Sequence, residues 1–238
     1  MLRTLRIFLV ALGLAAAAAL PLATSANAAV AIPDSGYISI SSTTSYYAAS
    51  AEWNQPTGSC TSVDSAARFW VGVGGFDSDP AAWVGTDSDC SGGSPVCYGW
   101  YRPPGSSDLV SFGNAISAHD VMVASVSCSS TTCTLQLEDS SANWTVSTTQ
   151  PLSGTPHSAE AMISAGALPL TNFGTATLAN VLFNDQLATS FSPVPLIITR
   201  DGRALDSVSD LHTFTYSVPL TGYSNTFNYF SGTWVSAT

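Results

Sequence analysis

The sequence contains no lysine, and basic groups of any kind are scarce. Six arginines stand against 16 acidic residues, a formal net charge of −10 at pH 7. Arg3 and Arg6 flank an apolar N-terminal run, so the remainder carries four arginines against the same 16 acidic residues, a formal charge of −12. We therefore expect neither nucleic acid nor a membrane surface as a partner. Partial protonation in acid would relieve the repulsion, which is compatible with an acidic extracellular setting.

Long hydrophobic runs are missing except at the N-terminus. The apolar run of residues 7–22 is Ala-rich and shorter than the roughly 20 apolar residues of a membrane span. Preceding arginines and an Ala-x-Ala arrangement ending at Ala28 predict a secretory signal peptide of residues 1–28. We expect a secreted, extracellular chain of residues 29–238, folded as a single domain and a monomer, without a separate propeptide.

Cysteine is also infrequent, with five residues and no Cys-x-x-Cys pair, so no metal site is expected. In an exported chain, disulfides are the expected state of cysteine. Cys128 and Cys133 flank Ser-Ser-Thr-Thr between two alternating apolar stretches, which predicts a disulfide across a hairpin. An intervening Gly-Gly and a proline permit a Cys90–Cys97 loop, which would leave Cys60 free or buried.

Helix-period apolar patterns are absent after the N-terminal run. Short β-branched or aromatic runs alternate instead with turn residues at intervals of about ten residues, as in an antiparallel β-sandwich or concanavalin A-like jelly roll. Residues 29–65 are either a processed extension or the first strands, and Tyr37 and Ile38 favour strands. The other strands are predicted near residues 67–74, 81–86, 97–102, 108–112, 120–127, 133–138, 144–148, 158–164, 174–183, 194–200 and 213–218.

Common hydrolase signatures are lacking as well. The chain has no Gly-x-Ser-x-Gly motif, and its three histidines lie far apart without metal-ligand spacing, so we expect structural or surface roles for them. A glycosidase needs two carboxylates beside one bond. Glu52, Glu138 and Glu160 are the only glutamates, and none has a carboxylate two or four residues away. This weakens a glycosidase interpretation but leaves pairing across strands open.

Several stretches, in this order, resemble the eqolisins, the glutamic endopeptidase family. Residues 69–75, Phe-Trp-Val-Gly-Val-Gly-Gly, resemble the family's Trp-Val-Gly-Ile-Asp-Gly strand. Residues 82–87 stand at its Gln-Thr-Gly-x-Asp segment, and residues 98–102 at its Trp-Tyr-Glu strand. Residues 158–164 resemble Ala-Glu-Trp-Ile-x-Glu, and residues 168–174 match Leu-Pro-Leu-x-x-Phe-Gly.

The resemblance spans roughly residues 65–220 and implies a polypeptide substrate and no cofactor. In eqolisins a glutamate acts as general base on the attacking water, and a glutamine amide stabilises the oxyanion. By this correspondence Glu160 is the candidate base and Trp83 occupies the glutamine position. The family has a second glutamate where this chain has Ser164, and which of the two positions supplies the base stays open.

Other positions also depart from the family pattern. Gly74 stands where the family has an aspartate, Arg102 where it has a glutamate, and Ala161 where it has a tryptophan. The indole of Trp83 offers one donor and no acceptor, so it cannot orient water as an amide does. The groove and substrate-binding residues implied by the resemblance are Trp70, Asp87, Trp100, Arg102 and Ser164.

Alternative roles remain for the two central residues. Strand alternation places Glu160 and Ser164 on one face and Ala161 and Ile163 on the other. If Ala161 and Ile163 face the core, Glu160 faces the groove. Otherwise Glu160 is a hydrogen-bonded structural carboxylate. Trp83 is a packing residue, a ligand-stacking residue or part of the catalytic site.

Three functions follow from these alternatives. One is an acid-acting endopeptidase with a modified catalytic pair. Another is a non-catalytic relative that binds peptide or polysaccharide in an aromatic groove. The remaining one is a structural or surface protein without a small ligand. The chemistry of the replaced residues favours the second, so we expect little or no peptidase activity.

Overall fold

Strands make up nearly all of the regular structure. The computed structural model describes residues 33–60, 64–76, 80–165, 169–200, 203–218 and 223–237, with the side chains of residues 216–218 and 223–225 left out. The predicted signal peptide lies outside these residues. The only helix in this part of the chain is one 3-10 turn, Ala188–Phe191, and no described helix is long and apolar enough to cross a membrane.

Eighteen strands occur in the described ranges. In chain order they are β1 (Asp34–Ile40), β2 (Ala48–Asn54), β3 (Ala66–Val73), β4 (Ala82–Asp89), β5 (Val96–Arg102), β6 (Val110–Ile116), β7 (Val121–Cys128), β8 (Thr132–Asp139), β9 (Trp144–Pro151), β10 (Ser158–Ser164), β11 (Thr175–Phe183), β12 (Gln186–Leu187), β13 (Val194–Leu196), β14 (Thr199–Arg200), β15 (Arg203–Ala204), β16 (Asp206–Val208), β17 (His212–Val218) and β18 (Tyr223–Trp234).

The strands form two large antiparallel sheets. The first has the order β13-β1-β10-β3-β4-β5-β6, and the second has the order β16-β18-β11-β2-β7-β8-β9. In the second sheet β12 also pairs with β11 and β17 with β18, while β14 and β15 form a separate pair. This arrangement confirms the predicted all-β sandwich.

The core lies between the two sheets and takes alternate residues from each strand. On β10, Ala161 and Ile163 point into this core, together with Phe69 of β3 and Leu137 of β8. Met162 points the other way and joins a second, smaller cluster. Because β10 lies between β1 and β3, even its outward residues are buried. The face of the first sheet that points away from the main core is the groove face.

The predicted hairpin disulfide is confirmed. Cys128 and Cys133 are directly opposed in the β7–β8 ladder and bonded, with their Cα atoms 4.0 Å apart.

The predicted Cys90–Cys97 loop is wrong. Cys90 is bonded to Cys60, with Cα atoms 5.5 Å apart, and Cys97 is a half-buried free thiol. The reason is the register of β4 and β5, which places Cys97 directly opposite Ser88 and leaves Cys90 beyond the end of the ladder. Cys90 can then reach the segment before β3.

Candidate functional site

Five adjacent strands of the first sheet align their outward side chains in three rows across the groove face. The polar row contains Asp34, Ser164, Arg68, Asp87 and Tyr98. The middle row contains Gly36, Met162, Trp70, Gly85 and Trp100. The tryptophan row contains Ile38, Glu160, Gly72, Trp83 and Arg102.

The indole of Trp83 lies over two glycines. Gly72 is directly across from it on β3, where an added Cβ atom would overlap Trp83 Cδ1. A Cβ atom at Gly75 would lie only 2.5 Å from Trp83 Cζ2. Trp83 Nε1 donates a hydrogen bond to the Gly74 carbonyl oxygen at 2.9 Å. The absence of side chains at these glycines makes room for the ring, and its single N–H is bound to the backbone.

Two neighbours hold the Trp83 ring. Trp70 stacks on it with ring centroids 4.4 Å apart and an interplanar angle of 25°. Arg102, directly across on β5, places Cζ 4.1 Å from the ring centroid, a cation–π contact. Burial lowers the pKa of Arg102, and the charges of Glu160 and Asp34 oppose this effect. The guanidinium therefore lies within electrostatic reach of both carboxyl groups.

Glu160 is nearly inaccessible, with 2% of its surface exposed. It lies between Ile38 of β1 and Gly72 of β3 in the ladder. Ser158 Oγ donates to Glu160 Oε1 at 2.5 Å. The carboxyl group is thus both hydrogen-bonded and directed to the groove face, so the two environments considered for it from the sequence occur together.

The polar row is held by an ion pair. Asp87 is wholly buried, and its Oδ2 accepts a hydrogen bond from Arg68 Nε at 3.0 Å and another from the Tyr98 hydroxyl at 3.1 Å. Burial raises the pKa of Asp87, and the Arg68 charge opposes that rise. Burial, followed by the Asp87 charge, raises the pKa of Tyr98. Neither Arg68 nor Tyr98 was among the residues expected from sequence.

Asp34 is a further site residue that sequence reasoning missed. It opens β1 directly across from Ser164, which hydrogen-bonds to it. Burial raises the Asp34 pKa to about 6, while Ser164 and the charges of Arg68 and Arg102 act in the opposite direction. Strand alternation places Asp34 on the same face as Ile38, which could have indicated a groove position. The sequence alone left open whether this segment forms a strand or a processed extension.

A cavity of about 380 Å³ opens on the groove face. It is lined by Pro33, Asp34, Ile38, Trp70, Gly75, Phe76, Trp83, Glu160, Met162 and Leu196. Three expected site residues are therefore brought together here, Glu160, Trp83 and Trp70. The remaining expected residues lie on the same face outside the lining: Asp87, Trp100, Arg102 and Ser164.

A sequence profile described as Peptidase A4 family matches residues 34–199, well over half of the 238-residue chain. The chain belongs to the Peptidase A4 family, the eqolisins. No curated protein sequence matches it.

Solved eqolisin structures share this fold. Scytalidoglutamic peptidase with a transition-state analogue inhibitor superposes with a TM-score of 0.68 at 19% identity, covering 85% of this chain and 98% of that one. The eqolisin SCP-B in complex with the tripeptide Ala-Ile-His gives 0.64 at 17% identity, with the same coverages. Aspergilloglutamic peptidase from Aspergillus niger gives 0.55 at 19% identity, covering 71% and 99%. At such low identities these matches establish the fold alone.

In this eqolisin three of the residues that depart from the family motifs, Trp83, Arg102 and Ser164, contact other groove residues. Trp83 and Arg102 touch each other across β4 and β5. Ser164 bonds to Asp34 across β10 and β1. Across the described ranges, no group of three His, Cys, Asp or Glu side chains is placed to hold a metal ion.

Proposed function

We propose that this eqolisin is a secreted, single-domain monomer, exported with a signal peptide of residues 1–28, that binds an extended polypeptide along the groove face and hydrolyses it poorly or not at all. Family membership supports a polypeptide ligand. Structures of two relatives with a peptide-based transition-state analogue and with a tripeptide support it further.

The carrying observation is the hydrogen bond from Trp83 Nε1 to the Gly74 carbonyl oxygen at 2.9 Å. An oxyanion needs a donor aimed at the place where negative charge develops. The Trp83 side chain, which stands at the glutamine position, has one N–H, and this N–H already donates to the Gly74 carbonyl oxygen. Losing one oxyanion donor costs roughly 10²–10³ in rate, so we expect strongly attenuated catalysis.

Hydrolysis by a Glu160-activated water is the second candidate function. The position of Glu160 in the cavity wall favours it, because a base must lie beside the substrate. The guanidinium of Arg102 lies within electrostatic reach of this carboxyl group, and Ser158 donates a hydrogen bond to its Oε1. Hydrolysis is the second candidate because the side chain at the glutamine position donates its one N–H to the Gly74 carbonyl oxygen.

Polypeptide is favoured over polysaccharide as the ligand. A sugar ring would need a free aromatic face for stacking. The Trp83 ring already contacts Trp70 and Arg102, and Trp100 is buried, with 1% of its surface exposed. The aromatic residues of this groove pack mainly against one another.

A paired binding and cleavage assay tests the proposal. Purified protein is incubated with a denatured, tryptophan-free protein substrate across pH 2–7, and binding of the uncleaved substrate is followed in parallel by the tryptophan fluorescence of the purified protein. We expect binding without appreciable cleavage. Strong acid proteolysis would overturn this view if Glu160→Gln abolished it and inhibitors of serine, cysteine and metallopeptidases left it unaffected.

A further inference from the structure

The cavity on the groove face has a marked chemical asymmetry. Its lining is apolar or glycine apart from two carboxyl side chains, Asp34 and Glu160, and contains no basic residue. Glu160 already accepts a hydrogen bond from Ser158. Asp34 is the first residue of β1 and lies four residues before Ile38 along the strand. The cavity thus presents apolar walls with the buried Glu160 carboxyl group across from Ile38 and the more exposed Asp34 carboxyl group at the start of β1.

We propose that this cavity receives a lysine or arginine side chain of the bound polypeptide, with the aliphatic stem against Ile38, Trp70 and Met162 and the cation at Asp34. The inference rests on the proposed polypeptide-binding function and adds the class of residue that is recognised. The cavity volume of about 380 Å³ lies within the roughly 300–1,000 Å³ of small-molecule sites and accommodates one long side chain. Long basic side chains commonly bury their stems in this way.

The positive charges near Asp34 are engaged elsewhere. Arg68 pairs with Asp87, and Arg102 contacts the Trp83 ring while its Nε donates to the Ser106 carbonyl oxygen at 2.6 Å. In the described part of the chain no arginine forms a salt bridge with Asp34. A carboxylate that lies in a partly dry cavity without a paired cation is stabilised most by a ligand that carries a positive charge.

The neighbouring strand β10 carries a serine, not a carboxyl group, across from Asp34. The residue across from it is Ser164, at the position where the eqolisin resemblance places a second glutamate. Asp34 therefore supplies a carboxyl group to the same region of the face from the adjacent strand. On the other side of β1, Ser35 bonds to Asp206 of β16, so that second acidic group faces away from the cavity.

The charge state of Asp34 sets the conditions for the test. Charged groups facing it are Arg68 on β3, Arg102 on β5 and Glu160 on β10; β13 carries none. With its pKa raised to about 6, the carboxyl group is ionised at pH 7.5 and neutral at pH 4. A preference for a cationic side chain should therefore be present at the higher pH and lost at the lower one.

The probes are two acetylated, amidated heptapeptides, Gly-Ala-Val-Xaa-Val-Ala-Gly, with Lys or Met at Xaa. Each peptide is titrated into the full chain at pH 7.5 and at pH 4, and its affinity is measured by calorimetry. We expect the lysine peptide to bind about tenfold more tightly than the methionine peptide at pH 7.5. Asp34→Asn should remove this difference, so that the lysine and methionine peptides bind the variant with equal affinity. Asp185→Asn, on an exposed turn with φ 60° that asparagine tolerates, is the matched control and should retain the preference.

The outcomes separate the two proposals. If both peptides bind equally tightly to the wild type and to Asp34→Asn, the cation site is refuted while peptide binding stands. If neither peptide binds, the polypeptide-binding function fails and the cation site fails with it. A thermal unfolding curve of Asp34→Asn matching or exceeding that of the wild type shows that any lost preference is local.

Discussion

The polar row and the tryptophan row cross the same five strands yet are held in different ways. In the polar row a buried carboxylate, Asp87, is bound by an arginine and a tyrosine hydroxyl. In the tryptophan row an aromatic ring fills the space over Gly72 and is covered by Arg102. The difference shows that one end of the groove face depends on charge and the other on shape. The following experiments test this division, from the largest expected effect to the smallest.

Removing the buried carboxylate should produce the largest loss of stability. Asp87→Ala leaves Arg68 without its partner and leaves the Tyr98 hydroxyl only the longer hydrogen bond to Asp89 Oδ2 at 3.4 Å. Breaking a buried ion pair on one side costs about 3–5 kcal/mol. Chemical denaturation measures the free energy of unfolding. Asp89→Ala, two residues along the same strand and less buried, is the control with an expected change below about 1 kcal/mol. Equal effects of the two variants would contradict the special role of Asp87.

The two disulfides should differ in their contributions. Cys60–Cys90 closes a sequence separation of 30 residues just beyond the polar row, whereas Cys128–Cys133 closes one of 5 in the other sheet. Loop-closure entropy predicts about 4 kcal/mol for the first and about 2 kcal/mol for the second. Paired Cys→Ser variants of each bridge, unfolded under identical conditions, provide the comparison. The reverse ranking would argue against this entropic account.

Replacing the tryptophan should weaken the fold moderately without restoring catalysis. Trp83→Gln loses the Trp70 stack, the Arg102 contact and the Gly74 hydrogen bond, together about 2 kcal/mol. Peptidase activity at pH 2–7 should stay near that of the wild type, because Gly74, Arg102 and Ser164 still depart from the family pattern. A gain of 100-fold or more, close to the roughly 10²–10³ ascribed to one oxyanion donor, would show that Trp83 alone blocks the chemistry.

The smallest effect concerns the pH dependence of stability. The folded-state pKa of Asp34, about 6, exceeds its ordinary value of 3.8, so folding favours the protonated form. The contribution of protonated Asp34 to the free energy of unfolding is fully present below pH 3.8 and is lost as the pH rises through about 6. We expect Asp34→Asn to be about 1–2 kcal/mol more stable than the wild type at pH 7.5 and nearly equal to it at pH 3. Identical pH profiles for the two proteins would contradict a raised pKa of this half-buried carboxyl group.

Much of the fold could be predicted because alternation and turn residues mark most strands locally. The segment predicted as one strand over residues 194–200 is divided, since β13 pairs with β1 whereas β14 pairs with β15. The longest strand, β18, was missed. Its sequence, Tyr-Ser-Asn-Thr-Phe-Asn-Tyr-Phe-Ser-Gly-Thr-Trp, includes serine, asparagine and glycine that favour turns when isolated. Pairing with β11 and β17 overrides that preference.

The site was less predictable because its rows join distant segments. Glu160, Trp83 and Trp70 could be selected from motifs within single strands. Asp34 could not, because its partner Ser164 is 130 residues away and only the β1–β10 register brings them together. The same limitation applied to Cys60, whose proximity to Cys90 depends on how the segment before β3 returns to the end of β4.

The position of β1 in the first sheet also governs the order of assembly. Both of its neighbours, β10 and β13, come more than one hundred residues later in the chain. Such non-local pairings must overcome a large loop-closure entropy, so sheets of this kind form slowly. While the chain emerges during synthesis, the β1 wall of the cavity has no strand to pair with until residues 158–164 are available. The groove face therefore stays incomplete until β10 has emerged, and a nascent chain ending before Ser158 lacks the β1–β10 pairing.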